Sequence, residues 1–315
     1  MTNNNHQRKG SLQFYPRVRA KKIIPRVNWN GVKKDGIGIL GFVGYKVGMT
    51  SVYVKDNTEN SLTKGKKIVM PGTIIECPKM NIYSVRFYKN KNVLKDFIVN
   101  NSKDLRKKVK LPKDIKKIDE ELDFDDVRII AFSGIKDVGA ISQKNPDFIE
   151  LGLNGSKEEK LEWVKSHLDK SFSINDAFVG GLVDIVAVTK GYGTQGPMKR
   201  FGIALKSHKS EKGRRRPGSL SSFGLRRVTF RAPQAGQTGF HTRIAYNNVI
   251  LKIADIKTED INMLGGFHKY GNIKNDYVIV KGSIPGPKKR AIILKQSIRP
   301  TKYQTKQNYE FINLR

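Results

Sequence analysis

The stretch GIGILGFVGYKVGMTSVYV, residues 36–54, contains two runs of β-branched and aromatic residues of the kind that favours strands. Glycine interrupts these runs at Gly38, Gly41, Gly44 and Gly48. Inside a strand, glycine usually marks a bulge or a place where another backbone approaches closely. The stretch therefore predicts strands of a β-barrel, in which such bulges and close approaches are needed.

Further strands are predicted on both sides of a helical segment. The predicted runs are TIIEC (73–77), IYSVRFY (82–88), VRIIAF (127–132), LVDIVAV (182–188), NVILKIA (248–254), YVIVKG (277–282) and AIILK (291–295). The segment SKEEKLEWVKSHLDK predicts a helix, because Ser156 and Glu159 have capping-box spacing and Leu161, Val164 and Leu168 fall on one stripe. The predicted fold class is mainly β.

The composition predicts a polyanionic partner. The 315 residues include 60 Lys and Arg against 28 Asp and Glu, a formal net charge of +32. Self-repulsion of this size opposes compaction unless a polyanion neutralises it. With 38% hydrophobic and 9% aromatic residues, the chain can still fold, so a wholly disordered basic protein is not expected.

Cysteine usage and hydropathy exclude several other classes. The single Cys77 cannot form an internal disulfide framework or a multi-cysteine zinc site, and it fits a reducing compartment, so a cytoplasmic location is expected. The segment MTNNNHQRKG lacks the apolar core of a signal peptide, and no run approaches the ~20 apolar residues of a membrane span. No membrane partner is predicted.

Charge is distributed unevenly along the chain. Residues 1–34 hold nine Lys or Arg and no acid, residues 104–170 hold 15 acidic and 14 basic residues, and residues 190–252 hold 14 basic residues and one acid. These shifts predict the domain organisation. It comprises a basic N-terminal arm (1–35), a β-barrel body (36–100 and 176–298), a nearly neutral segment (101–175), a basic glycine-rich central extension (190–245) and a C-terminal tail (299–315).

The segment TKGYGTQGPMKR, residues 189–200, has Gly191, Gly193 and Gly196 at G-x-G-x-x-G spacing after an apolar run. A dinucleotide site also needs a helix and then a second parallel strand that ends in an acid. Pro197 can begin a helix, but a basic polar run follows it and no second apolar strand appears. We therefore interpret the glycines as places where the chain leaves a strand and passes close to phosphate.

No catalytic, metal or cofactor site is predicted. The five histidines (His6, His167, His208, His241 and His268) lack metal-ligand spacing, and no P-loop is present. The acidic run DEELDFDD, residues 119–126, lacks the glycine and the final glutamate of a calcium loop, so it is interpreted as a solvated turn. No small-molecule substrate is expected.

Three segments combine glycine with dense positive charge: RRRPGSL (214–220), GLRRVTFRAPQAGQTGFHTR (224–243) and PGPKKR (285–290). Glycine allows backbone amides to approach phosphate, and Lys and Arg replace its counterions. Around the second segment, Phe223, Phe230, Phe240 and His241 can stack on unpaired bases. A solvated basic loop and a DNA partner are the alternatives, but a solvated loop would usually intersperse acids, and no DNA-binding motif is visible. Long aperiodic arms suit the crevices of a folded RNA.

The predicted RNA-binding residues lie on the arm, the central extension and the third basic segment. They are Arg8, Lys9, Arg17, Arg19, Lys21, Lys22, Lys190, Gln195, Lys199, Arg200, His208, Lys209, Arg214, Arg215, Arg216, Ser219, Phe223, Arg226, Arg227, Arg231, Gln234, Gln237, His241, Arg243, Lys288, Lys289 and Arg290.

A family resemblance runs through nearly the whole sequence. It is carried by SLQFYPRVRAKK, GILGFVGYKVGMTSVYV, TIIECPKMNIYSVRFY, VAVTKGYGTQGPMKRFGI, RRRPGSLSSFGLRRVTFRAPQAGQTGFHTRIAYNNVILKI and GGFHKYGNIKNDYVIVKGSIPGPKKRAIILKQSIRP. With these stretches the chain resembles the universal family of large ribosomal subunit protein L-three, in its archaeal form. The match is weakest over residues 90–170. The resemblance implies that residues 101–175 form an α/β insertion, so that the fold class is mainly β with an α/β insertion.

The resemblance implies a β-barrel body of the translation-factor type and two extensions that enter large-subunit ribosomal RNA and reach toward the peptidyl transferase centre. It also implies early binding during assembly, with neighbouring ribosomal proteins as further partners. At the tip of the extension the family usually has tryptophan in a G-x-W-H-P context, where this sequence has Ser222, Phe223 and Gly224. Phe223 could still stack there, with less area than tryptophan.

The sequence therefore predicts a structural constituent of the large ribosomal subunit that is not an enzyme. The alternatives are an RNA-modifying enzyme with basic arms and a free RNA chaperone. An enzyme would need a cofactor loop or an acid–base pair, and a chaperone would be found away from the large subunit.

Overall fold

The computed structural model describes residues 8–11, 13–32, 36–115, 122–220 and 227–314, and in this part of the chain the fold is mainly β. The strands are β1 (Gly38–Ile39), β2 (Gly41–Asp56), β3 (Lys67–Cys77), β4 (Met80–Lys89), β5 (Asn92–Ile98), β6 (Asp126–Ser133), β7 (Phe148–Asn154), β8 (Leu182–Val188), β9 (Gly191–Gln195), β10 (Gly236–Gly239), β11 (Thr242–Ala254), β12 (Asp276–Lys281), β13 (Ala291–Gln296) and β14 (Tyr309–Leu314). The helices are α1 (Lys157–His167), α2 (Ile174–Ala177), α3 (Pro197–Phe201) and α4 (Lys302–Thr305), with 3₁₀ turns at Lys103–Lys107 and Ile135–Asp137. Every strand run predicted from the sequence overlaps one or two of these strands, although Gly282 lies just beyond β12 and Leu40 lies between β1 and β2.

The chain divides into two compact units. We call residues 23–187 and 244–315 the sheet unit, and residues 1–22 and 188–243 the cationic unit. The cationic unit has 19 Lys and Arg residues and a single acid, Glu211. Across the described ranges, every helix is too short or too polar to cross a membrane.

The larger sheet of the sheet unit has seven strands in the order β13-β8-β11-β12-β3-β2-β14. Its strand β13 pairs antiparallel with two partners, so that Ile293 lies opposite Val186 on β8 and Val43 on β2. Six strands are therefore joined in a closed cycle of pairings, while β14 pairs with the far end of the long strand β2. The register of β2 and β3 shifts between Lys46 and Gly48, as the glycine spacing predicted.

A second sheet of five strands has the order β1-β7-β6-β4-β5, and one buried hydrophobic cluster includes residues of both sheets. The Tyr45 hydroxyl of β2 lies 2.7 Å from Ser133 Oγ and donates to Asp147 Oδ2 at 3.0 Å. Burial and the Asp147 carboxylate raise the pKa of Tyr45 well above its usual value. The phenol therefore stays protonated and links the two sheets by hydrogen bonds.

The indole of Trp29 fills a space left by glycine. A Cβ at Gly41 would lie 2.6 Å from Trp29 Cη2, and one at Gly152 would lie 2.8 Å from Trp29 Cβ. The indole also donates from Nε1 to the carbonyl oxygen of Glu150 at 2.9 Å. A Cβ at Gly41 would also lie 2.7 Å from the carbonyl oxygen of Leu294, so the interpretation of Gly41 as a close backbone approach is confirmed. The sequence did not predict that Trp29 and Val32 belong to the core.

The predicted helix is α1, and its capping box is confirmed. Ser156 Oγ accepts from the Glu159 amide at 3.3 Å, and Glu159 Oε2 accepts from the Ser156 amide at 2.7 Å. On the apolar stripe, Val164 is buried, and Leu161 and Leu168 are half-buried against the core. Capping and burial together fix this helix, which contacts β6.

Asp56, at the end of β2, organises the turn that follows. Its carboxylate accepts from the Ser61 and Thr63 hydroxyls, each at 2.6 Å, and from the Thr58 amide at 2.9 Å. The hydroxyls of Ser61 and Thr63 hold the pKa of Asp56 well below its usual range. A carboxylate with a depressed folded-state pKa stabilises the fold above the unfolded pKa of about 3.9, and this contribution is lost as the pH falls through the folded pKa.

We therefore expect Asp56→Asn to lower the free energy of unfolding at neutral pH, with a difference from the wild type that narrows below about pH 4. Urea unfolding at a series of pH values measures this difference. A difference that stays constant down to pH 2.5 or so would contradict the assigned role of the charge.

Candidate nucleic-acid interface

The cationic unit is built on a two-stranded antiparallel ladder between β9 and β10. Gly236 lies opposite Gln195, and Gly239 lies opposite Gly191. Gly239 has a φ of 71°, and a side chain there would collide with the carbonyl oxygen of Lys190. Glycine is therefore required where the extension returns to its starting point.

The predicted glycine motif does not form a dinucleotide fold. Gly196 is the N-cap of α3, which begins at Pro197 as predicted but spans five residues, and β9 pairs antiparallel with β10. In the parts of the chain that the structure describes, no group of three or more His, Cys, Asp and Glu could hold a metal ion.

The N-terminal arm is hydrogen-bonded to the extension. The Ala20 amide donates to the carbonyl oxygen of Phe240 at 2.8 Å, and His241 Nδ1 lies 2.7 Å from the carbonyl oxygen of Val18. Further along the arm, the Lys9 amide donates to the carbonyl oxygen of Phe201 at 2.5 Å. Segments far apart in sequence thus form one cationic unit.

Three guanidinium groups of this unit converge on the buried ring of Phe201. The Cζ atoms of Arg8, Arg17 and Arg200 lie 4.8, 4.3 and 5.1 Å from the ring centroid. The ring of Tyr15 stacks on Phe201 with 6.4 Å between centroids and an interplanar angle of 7°. Attraction between cations and aromatic rings offsets part of the repulsion between the three charges.

The guanidinium of Arg200 forms hydrogen bonds within the cationic unit. Its Nε donates to the carbonyl oxygen of Gln237 at 3.0 Å, and its Nη1 donates to that of Gln234 at 2.9 Å. Burial and the Arg17 charge lower the pKa of Arg200. Among the predicted RNA ligands, Arg200 therefore also holds the extension together, whereas its neighbour Lys199 is exposed.

The structure places most of the predicted RNA-binding residues of the cationic unit at its surface. The exposed ones are Lys9, Arg19, Lys21, Lys22, Lys190, Lys199, His208, Lys209, Arg214, Arg215, Arg216, Ser219, Arg227, Arg231 and Gln234. The half-buried ones are Arg8, Arg17, Gln195, Arg200, Gln237, His241 and Arg243. Phe223 and Arg226, with the rest of the tip at 221–226, lie outside the described residues.

The remaining predicted residues, Lys288, Lys289 and Arg290, belong to a loop of the sheet unit that is held by Lys46. The buried Lys46 Nζ donates to the carbonyl oxygens of Ile284 at 2.7 Å and Gly286 at 3.0 Å. Burial and the nearby Lys288 charge lower the pKa of Lys46. Sequence reasoning missed Lys46, although a lone lysine within a glycine-rich apolar run was a usable signal.

The cationic unit carries charge of almost a single sign. Glu211 is the single acidic residue of the cationic unit, which has 19 Lys and Arg. The positive charges of the unit are therefore not balanced by carboxylates of the same unit. Charge of one sign at this density attracts polyanions over long range and is screened by salt. The fold and the site thus define a mainly β, polyanion-binding protein.

The family model described as Ribosomal protein L3 matches residues 1–111 and 86–314 of the chain. Proteins named large ribosomal subunit protein uL3 are similar over nearly their full length. The protein from Methanothermobacter thermautotrophicus is 40% identical, and the alignment covers 95% of this chain and 94% of the relative. The protein from Archaeoglobus fulgidus is 39% identical, with 94% of this chain and 92% of the relative covered. The protein from Picrophilus torridus is 37% identical, with 96% of this chain and 94% of the relative covered. The chain belongs to the ribosomal protein L3 family.

Proposed function

We propose that the cationic unit is the main surface through which this chain binds large-subunit ribosomal RNA. As a member of its family, the chain is a structural, non-enzymatic constituent of the large ribosomal subunit in the cytoplasm, with ribosomal RNA and neighbouring ribosomal proteins as partners. The observation that carries the proposal is the ratio of 19 basic residues to one acid in the cationic unit. RNA phosphates supply the counter-charge that the unit lacks.

The sheet unit contains the large buried hydrophobic cluster of this chain. We propose that its closed cycle of strand pairings is a β-barrel of the translation-factor type, which the double pairing of β13 supports. By role, we divide the chain into an arm (1–35), a body (36–100 and 176–298), an insertion (101–175), a central extension (190–245) and a tail (299–315).

We propose that the exposed cations of the arm and the extension contact RNA phosphates. The two segments are also proposed to reach toward the peptidyl transferase centre. The protein is proposed to bind the RNA early in assembly of the subunit. Lys288, Lys289 and Arg290 add a second contact on the loop that Lys46 supports. Phosphate contacts of this kind fix position and orientation rather than sequence.

Substitutions of Lys199 and Arg200 distinguish a contact to RNA phosphate from a structural role within the cationic unit. We expect Lys199→Gln to weaken binding of a large-subunit ribosomal RNA transcript and to reduce the slope of log K against log salt by about 1, since one phosphate contact is lost. We expect Arg200→Gln to loosen the cationic unit as well, because the carbonyl oxygens of Gln234 and Gln237 lose their donor.

Filter binding over a salt series measures the first effect, and limited proteolysis of the free protein measures the second. The two variants remove the same charge, so each is the matched control of the other. Lys199→Gln with wild-type affinity and slope would overturn the phosphate contact at this residue. Arg200→Gln with wild-type protease resistance would overturn the structural role.

A further inference from the structure

Two neighbouring clefts in the cationic unit share a wall formed by Phe14, Arg17, His241 and Arg243. Their volumes are about 290 and 310 Å³. Both volumes are close to the lower limit of the range of about 300–1,000 Å³ that small-molecule sites have in proteins. The space therefore suits a group of the size of one nucleotide rather than a helix.

Phe14 offers an aromatic surface at this wall. Its side chain is 57% exposed although the Arg243 guanidinium lies 4.9 Å from the ring centroid. An exposed phenyl ring loses nothing by stacking against a planar partner, and every nucleobase has a face that can stack on it. The ring and the guanidinium together form a platform with one apolar and one cationic component.

Positive charge converges on the same wall. Arg17 donates from Nη1 to the carbonyl oxygen of Arg200 at 2.8 Å, and Arg243 donates from Nη1 to that of Thr242 at 2.8 Å. These bonds fix both guanidiniums, and each has five N–H donors. Burial and the Arg17 charge lower the pKa of Arg243, as expected for two guanidiniums held near each other. An anion at this wall would relieve that repulsion.

Thr238 is among the residues that line the first cleft. Thr238 Oγ1 is buried and forms no hydrogen bond to the described residues. A buried hydroxyl without a partner costs free energy, so such groups usually bind a ligand or water.

We propose that this wall binds a single unstacked nucleotide of the RNA, with its base against Phe14 and its phosphate on Arg17 and Arg243. The proposal rests on the RNA-binding function above and adds a defined contact to a base. An unpaired nucleotide fits better than duplex RNA, because stacking on Phe14 requires a free base face.

Full-length Phe14→Ala, Phe14→Trp and Tyr303→Ala test the proposal by filter binding to a large-subunit ribosomal RNA transcript. We expect Phe14→Ala to bind about 5- to 100-fold more weakly with an unchanged salt slope, because a stacking surface is lost but no charge. Phe14→Trp keeps the stacking surface and should bind like the wild type. Tyr303, 74% exposed in the sheet unit, is the matched aromatic control, and its replacement should leave the affinity unchanged.

Ultraviolet crosslinking of the wild-type protein to the same transcript gives a readout that does not depend on a variant's folding. We expect a single nucleotide attached to the peptide that contains Phe14. Wild-type affinity of Phe14→Ala, or crosslinks only on other peptides, would overturn the nucleotide site while leaving the function above intact. Equal weakening of Phe14→Ala toward polyglutamate would assign the wall to an acidic peptide instead. No detectable binding of the wild-type protein to the transcript, even at low salt, would overturn the RNA-binding function itself.

Discussion

The affinity of the wild-type chain for large-subunit ribosomal RNA is expected to fall about 10³- to 10⁵-fold between roughly 50 and 200 mM salt. This range corresponds to about six to ten phosphate contacts, each of which releases condensed counterions when a Lys or Arg replaces them. The cationic unit has enough exposed cations for that number, and Glu211 is its single competing acid. Filter binding at five or more salt concentrations gives the slope of log K against log salt.

Unfolding of the free protein is the control for this prediction. Thermal unfolding over the same salt range shows whether the protein stays folded, so that a change in affinity reports binding alone. A slope near zero would contradict counterion release as the source of affinity. If the slope of log K against log salt stays steep after Arg214, Arg215 and Arg216 are neutralised together, the phosphate contacts lie outside this cluster.

Asp184→Ala is expected to lower the free energy of unfolding by about 3 to 5 kcal/mol, because it leaves a buried lysine without its partner. Asp184 and Lys295 are both buried, and Lys295 Nζ lies 3.6 Å from Asp184 Oδ2. The carboxylate also accepts from the Asn247 amide at 2.8 Å and the Ile298 amide at 3.3 Å. Burial lowers the pKa of Lys295, and the Asp184 charge opposes that shift.

Urea unfolding measures this loss, and two further variants identify its cause. Asp184→Ala combined with Lys295→Met should recover part of the stability, since no unpaired charge remains buried. Asp123→Ala removes a carboxylate that pairs with Lys89 at 2.7 Å on the surface, and it should cause little loss because exposed pairs contribute little. A double variant as unstable as Asp184→Ala would show that the lost amide acceptor, and not the unpaired lysine, dominates.

The sequence by itself determined the elements whose signals are local. Apolar runs located the buried strands such as β8, and the Ser156 and Glu159 pair located the start of α1. Strand β5 was not predicted because it is an edge strand with mostly exposed residues, and its sequence has no apolar alternation. Strand β14 was not predicted either, because it too lies at a sheet edge and is half exposed.

The sequence also determined the class of partner, because the net charge of +32 is a sum over residues that no fold can change. The tertiary structure alone decided which cations face outward and which hold the protein together. Arg17 and Arg200 lie 183 positions apart, yet both guanidiniums pack against Phe201 and donate to backbone carbonyl oxygens. Arg17 uses one of its five N–H donors in this way, so the others remain for a phosphate. The shared packing against Phe201 depends on chain closure over long separations, which local propensity and composition do not encode.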